Sequence, residues 1–503
     1  MSETQAMSPH EPSEQAQAEQ APTQQTQPEP AQQRPRTVPR IVILGGGYVG
    51  FYTALRLRRR LGKREAAIVV VDPRSYMTYQ PFLPEAAAGS LEPRHVVVSH
   101  RRELKGVDVL TGRVTQVRHA ERAVRIAPVE GDEYEITYDH LVVALGSVAR
   151  TLPIPGLAEQ AMGFKQVEEA IALRNHVLTK LDIAASTWDP ALRRKMLTFT
   201  FVGGGFAGIE AIAEVEDMAR AAVRFYDGIS AEDLRFVMIE GSPRILPELG
   251  EEMGGYALEQ LRKRNIEVHL STFLSSCVDG HVVTSTGLEL DSATIVWTAG
   301  VKANPVLASS DLPLDAAGRV QALPTLQVAT ADGVVVEGAW TAGDCAAVPD
   351  LANPGSFCSP SAQHAVRQAR HLGDNLAKHL RSAELSDYKH KHVGTVASLG
   401  LGKGVAQVYG VKLRGWPAWF MHRTYHMAQM PTFNRKVRIV LDWTLALFFH
   451  RELVALGRLH DPRADFRDAA APRAKDVEKP RAKQGTQRAG SPAAAGVVRP
   501  PNG

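Results

Sequence analysis

Two stretches of the chain share one pattern of apolar and polar positions. RIVILGGGYVG (40–50) is an apolar run that breaks into closely spaced glycines, and FYTALRLRRRL follows with apolar residues at helical spacing. LTFTFVGGGFAGIE (197–210) repeats the run and the glycines, and IEAIAEVEDMARAAVRFY continues it as a long amphipathic stretch. The runs predict buried strands, the glycines tight turns and the amphipathic stretches helices. Each copy returns to an apolar run that ends in an acid: AIVVVD at Asp72 and RFVMIE at Glu240. Three further runs, YDHLVVALGS (138–147), LDSATIVWTAG (290–300) and VEGAWTAGDCAA (336–347), read as strands that end in a glycine turn. Strands alternating with helices predict an α/β chain with parallel sheets.

The two copies suit dinucleotides. In the first, Gly45 permits the tight turn, Gly47 lets the backbone approach a pyrophosphate and Gly50 lets helix and strand pack closely. Gly46 lies between them, and the helix N-terminus faces the phosphate charge. Asp72 can accept hydrogen bonds from a ribose. In the second, Gly203, Gly205 and Gly208 take the same places. An acid at Glu240 pairs with a ribose 2′-hydroxyl and repels a 2′-phosphate, which favours NADH over NADPH. A lone G-x-G-x-x-G is a weak signal, but strand, turn, helix, strand and terminal acid together are a strong one. Gly146 is a further candidate on the first dinucleotide, and Ala299 with Gly300 on the second.

Composition adds limits. The 503 residues suffice for two or three domains, and 44% apolar with 22% charged residues is ordinary for a globular protein. A formal net charge of +4 gives no reason to expect nucleic acid as a partner. Three cysteines, Cys277, Cys345 and Cys358, are too few for a disulfide framework and form no CxxC pair. No metal site is expected, and no secretory signal is read at the N-terminus. Residues 1–37 are rich in Gln, Pro and Glu, and 464–503 in Ala, Pro and Gly. Both are expected to be disordered tails.

The strand, Gly343–Asp344 turn and following helix are similar to the way flavoproteins with two dinucleotide-binding domains hold the distal part of FAD. That resemblance implies two Rossmann-like domains, the NADH domain being inserted in the FAD domain. The expected layout is FAD domain 38–155, NADH domain 156–324, FAD domain again 325–390, and a C-terminal membrane-association region 391–463 with helices. Asp344 and Ala362 then join Gly45, Gly46, Gly47, Gly50, Asp72 and Gly146 around FAD. Two turns are needed because hydride passes from NADH to the flavin, and the cofactors carry that chemistry.

The electron acceptor is constrained by what is missing. No cysteine occurs before residue 277, so a redox-active pair near the first helix is excluded. VDPRSYMTYQPFLPEAAAGSLEPRHV (71–96), VWTAGVKANPVL (296–307) and SPSAQHAVRQA (359–369) together resemble the type II NADH:quinone oxidoreductases. The resemblance spans about residues 39–460. It implies reduction of a membrane quinone without proton pumping, with quinone entering near Gln363 and the Tyr79–Gln80 run. Two positions depart from the family pattern. Arg367 stands where a second glutamine is common, with Gln368 one place late. Val393 precedes Gly394 where several members carry a lysine, the nearest here being Lys391. Glu210 has two readings, a residue near flavin and nicotinamide that orients the carboxamide or relays protons, and a first-turn carboxylate favoured by the helix dipole. Two other functions stay open: electron delivery to a soluble acceptor such as a ferredoxin-type protein or oxygen, and FAD/NADH sensing without turnover.

A quinone reductase needs access to a bilayer. No stretch reaches 18 uncharged apolar residues; IVLDWTLALFF (439–449) is interrupted by Asp442. Residues 412–458 instead interleave Trp416, Trp419, Phe420, Trp443, Phe448 and Phe449 with Arg414, Arg423, Arg435, Lys436 and Arg438. Such a mixture suits a membrane interface, and equally a helical pair packed on the core or on a second copy. The family resemblance implies monotopic attachment to the cytoplasmic face of the inner membrane. Whether the chain dimerises stays open.

Overall fold

The computed structural model describes residues 38–62, 64–390, 394–449 and 451–456, and Arg467. The expectations for the tails at 1–37 and 464–503, apart from Arg467, and for Lys391 and Val393 fall outside the described residues. In chain order the elements that matter are β1 (Arg40–Leu44), α1 (Tyr48–Arg60), β2 (Ala67–Asp72), α2 (Leu83–Ala87), β3 (Asp108–Arg118), β4 (Ala123–Pro128), β5 (Tyr134–Thr137) and β6 (His140–Val143). There follow β7 (Ala161–Gly163), α3 (Val167–Ser186), β8 (Thr198–Val202), α4 (Phe206–Ala222), β9 (Arg235–Ile239), β10 (Ile266–His269) and β11 (Thr294–Trp297). The chain continues through β12 (Gln327–Ala329), β13 (Val335–Thr341), α5 (Ala362–His379), β14 (Gly394–Ser398), β15 (Gly404–Val408), β16 (Val411–Arg414), α6 (Trp416–Gln429) and α7 (Phe433–Phe448).

These elements form two compact units with interleaved sequence. Among the described residues the first takes the chain up to Met77, Val98–Val148 and the stretch that opens at Val301 and ends before the second unit's last segment. Its sheet runs β12-β13-β6-β1-β2-β3-β4-β5. The centre, β13-β6-β1-β2-β3, is parallel, and β4, β5 and β12 pair antiparallel at the edges. Central strands covered on both faces read as unbroken apolar runs; Ile41 to Leu44 of β1 are all buried. Helix α1 is tied to α5 by charge. Arg56 Nη2 and Arg60 Nε each lie 2.6 Å from the Asp374 carboxylate, and Thr53 Oγ1 donates to Ala369 O at 3.2 Å. The unit resumes at Val301, ahead of the expected 325, because Leu307, Leu312 and Val320 bury themselves in its core beside Val42, Val143 and Ala339.

The second unit takes Thr78–Val97, Ala149–Gly300 and the chain from Val393. Its five-stranded sheet, β7-β11-β8-β9-β10, is parallel throughout, and every residue of β8 is buried. A meander, β14-β15-β16, precedes the last two helices. The C-terminal region is therefore sheet first and helix second. The β15–β16 hairpin turns on Tyr409 and Gly410, both with positive φ, the two-residue geometry that matches strand twist. No described helix is long and apolar enough to cross a membrane.

Candidate functional site

In the first unit Gly45 leaves β1 with φ +98°, and its N–H donates to Val71 O at 2.7 Å. Asp72 then closes the turn: Oδ2 accepts from Gly46 N at 2.6 Å and Oδ1 from Arg74 N at 2.7 Å. Gly47 caps α1, and nothing lies within 4 Å of where its Cβ would be. A Cβ at Gly50 would run into the Gly45 carbonyl oxygen. Nothing in the sequence pattern marks His100. This buried ring fills the space beside Gly46, where a Cβ would collide with it, and its Nε2 lies 2.8 Å from Gly46 O. Burial lowers its pKa against the opposing pull of Asp72, so the neutral ring donates Nε2–H to that carbonyl.

The Gly343 turn of the same unit is held by side chains too. Gly343, with φ +76°, donates its N–H to Gln368 Oε1 at 2.8 Å, and Asp344 accepts from Ser147 Oγ at 2.6 Å, one residue past Gly146. Gln368 is buried and points at the Gly343 turn. Ser361 caps α5 by accepting from His364 N at 3.2 Å, which places Ala362 and Gln363 in the first helical turn. Gln363 Oε1 lies 3.1 Å from His390 Nε2. All three cysteines are free and buried. Burial raises the thiols of Cys345 and Cys358 to about 11, so neither is a thiolate at neutral pH.

The second unit repeats the tie. Gly203, φ +113°, donates to Ile239 O at 2.9 Å. Glu240 Oε2 accepts from Gly204 N, and Oε1 from Ser242 N at 2.6 Å. Gly205 caps α4 with no atom within 4 Å of its Cβ position, and a Cβ at Gly208 would meet the Gly203 carbonyl oxygen. Thr298 Oγ1 donates to Val202 O or Gly203 O, at 2.9 and 3.0 Å, and fixes β11 to this turn just before Ala299 and Gly300.

Glu210 is not a first-turn carboxylate. α4 starts at Phe206, so Glu210 lies one turn deeper, where the dipole's effect has faded. It is buried, accepts from Ser398 N at 2.9 Å, and lies 3.0 Å from His422 Nε2 on α6. The His422 contact is an ion pair by distance without an aligned N–H. One turn on, Glu214 Oε1 accepts from Ser398 Oγ at 3.1 Å. On α2, Glu85 Oε2 accepts from Arg423 Nη2 at 3.0 Å and from Trp443 Nε1 at 2.7 Å. The Arg423 guanidinium lies 4.2 Å from the Trp419 ring and 4.9 Å from the Trp443 ring. Tyr79 Oη donates to His426 O at 3.1 Å. These partners come from segments far apart in sequence, and no spacing rule foretells them.

The C-terminal aromatics divide. Trp419 and Trp443 turn inward around Arg423, while Trp416 and Phe420 stack outward. On α7, Phe433, Val437, Val440, Leu441, Leu445 and Phe448 are exposed at helical spacing. The opposite face holds Ile439 buried and sets Asp442 2.6 Å from His95 Nδ1.

The family described as pyridine nucleotide-disulphide oxidoreductase matches residues 39–369. The chain is 30% identical over 444 residues to the type II NADH:quinone oxidoreductase Ndh of Mycobacterium tuberculosis, covering 84% of this chain and 91% of that one. It is 28% identical to the type II NADH:quinone oxidoreductase of Staphylococcus aureus, covering 76% and 93%. A solved structure of NDH2 from Plasmodium falciparum in complex with NADH superposes with a TM-score of 0.75 at 18% identity, over 83% of this chain and all of that one.

Proposed function

Because the chain belongs to the type II NADH:quinone oxidoreductases, we propose that it holds FAD in its first unit and NADH in its second, and delivers two electrons to a membrane quinone without pumping protons. One observation carries the assignment of two dinucleotides: the same turn is built twice, each with an open cradle before a helix N-terminus and an acid fastened to its middle glycine. Side chains at Gly47 or Gly205 would fill the cradles, so both turns fit a pyrophosphate. Asp72 and Glu240 use one lone pair of each oxygen on backbone N–H groups, which leaves acceptor capacity for a ribose. Gly45, Gly46, Gly47, Gly50, Asp72, Gly146, Asp344 and Ala362 are assigned to FAD. Gly203, Gly205, Gly208, Glu240, Ala299 and Gly300 are assigned to NADH. When bound, the flavin accepts hydride from NADH and hands electrons on singly or in pairs.

Gln363 offers an amide to a quinone oxygen, and Glu210 a buried carboxylate for proton movement. The apolar stripe of α7, with Trp416 and Phe420, supports attachment of the C-terminal helices to a bilayer, here assigned to the cytoplasmic face of the inner membrane. Purified holoprotein with NADH and a short-chain quinone tests the reading: flavin absorbance bleaches on NADH addition and returns with quinone. Bleaching that only oxygen or a ferredoxin-type protein reverses points to a soluble acceptor. Failure to bleach with NADH points to a sensor.

A further inference from the structure

The second unit buries three carboxylates close together. Glu85, Glu210 and Glu214 are 2%, 7% and 1% exposed, and an unpaired buried charge is costly. The neighbouring ionic groups are mostly committed elsewhere. Arg264 pairs with Glu216 and Asp217, Lys412 and Arg414 with Glu252, and Asp442 with His95. Arg423 is taken by Glu85 and the two indoles, and Arg451 acts on Glu214. Among the described residues the cation at contact distance from Glu210 is His422, itself buried, and neither of its ring nitrogens has an aligned hydrogen-bond partner. Beyond it on α6, the His426 ring lies 4.6 Å away, and Tyr79 Oη is 3.4 Å from His426 Nδ1.

We propose that His422 is a positioning residue for quinone reduction, holding as an imidazolium the proton that Glu210 delivers to the quinone. The proposal rests on the quinone-reductase reading. NADH, one further proton and quinone give NAD⁺ and quinol. Hydride accounts for both electrons and one proton, so the second proton has another source. In the step inferred here the Nε2–H bond of His422 breaks as an O–H bond forms on the Glu210 carboxylate. That O–H bond breaks in turn as an O–H bond forms on the quinone, which gains its electron pair, and a proton from bulk water restores the imidazolium.

The electrostatics agree with this placement. Burial disfavours the His422 imidazolium, yet Glu210, Glu85 and Glu214 outweigh it and raise its pKa. His426 moves the opposite way, well down, through burial and the His422 charge. Glu214 is raised by burial and by Glu85, against Arg451, Arg423 and its Ser398 hydrogen bond. One histidine therefore carries the proton, and the carboxylate it faces is Glu210.

The test is His422→Gln in the holoenzyme, followed from about pH 5.5 to 9 with quinone and with ferricyanide, an acceptor that takes no proton. With wild type, quinone turnover falls as pH rises through the elevated His422 pKa. The variant loses that limb and drops about tenfold or more at neutral pH, while ferricyanide reduction reports intact folding and NADH use. An unchanged limb overturns the proposal. Nitrogen-15 NMR of histidine-labelled holoenzyme gives a second readout: the signal missing in His422→Gln stays doubly protonated above the ordinary imidazole range in wild type and becomes neutral in Glu210→Gln. A neutral His422 in wild type at neutral pH overturns the proposal even if the variant misfolds. Wild type that reduces ferricyanide but no quinone overturns the functional reading instead.

Discussion

Among the described glycines, the third of each turn leaves the least room for a side chain. A methyl at Gly50 or Gly208 would occupy the position of a carbonyl oxygen from the same turn, and backbone cannot yield as a flexible side chain does. Gly50→Ala is expected to purify with less flavin per polypeptide and to lose about 1–3 kcal/mol of stability. Gly208→Ala should keep its flavin, with slow or absent bleaching by NADH. Absorbance and thermal melts separate the two, and equal flavin loss in both variants would break the assignment of one dinucleotide to each turn. These glycines and their acids are legible from sequence because strand, turn and helix place them by local spacing. His100, Ser147 and Gln368 are not, since each reaches its turn from another part of the chain. Glu210 shows the limit well: its letter was visible, but its partner His422 lies on a helix more than two hundred residues away.

At the scale of elements, α6 and α7 each do two things. Their inner faces supply His422, Arg423 and Trp443 to buried carboxylates, and their outer faces expose Trp416, Phe420 and the α7 stripe. Deleting residues 412–503 would uncover Glu85, Glu210 and Glu214, so loss of membrane binding in that truncation would also follow from misfolding. Leu441→Glu with Phe448→Glu changes only exposed positions. This pair should weaken binding to vesicles about tenfold or more while ferricyanide reduction stays at the wild-type rate; undiminished vesicle binding would rule out the stripe as the docking face. Aromatic and basic composition marked the region, but not which rings turned inward. The meander ahead of these helices is not legible from the pattern either, because its short strands and glycine turns lie close to the helical stretch that dominates the composition.

Across the whole molecule the chain passes between the two units five times, where the sequence leads to an expectation of one domain inserted in the other. The first unit draws its sheet from segments either side of the second, so no single cut leaves it whole. The second fingerprint is different: β8, its glycines, Glu240 and the Thr298–Gly300 end of β11 all lie within Ala149–Gly300. On the proposed assignment of NADH to this turn, coenzyme choice is heritable as one cassette. A chimaera that receives this block from an NADPH-using relative should change its preferred nicotinamide in steady-state assays and keep its flavin. Glu210 would travel with the block while His422 stayed behind. Recombination at these joints would therefore bring a new coenzyme at the risk of parting that pair, and natural exchanges should favour donors that also carry a glutamate there.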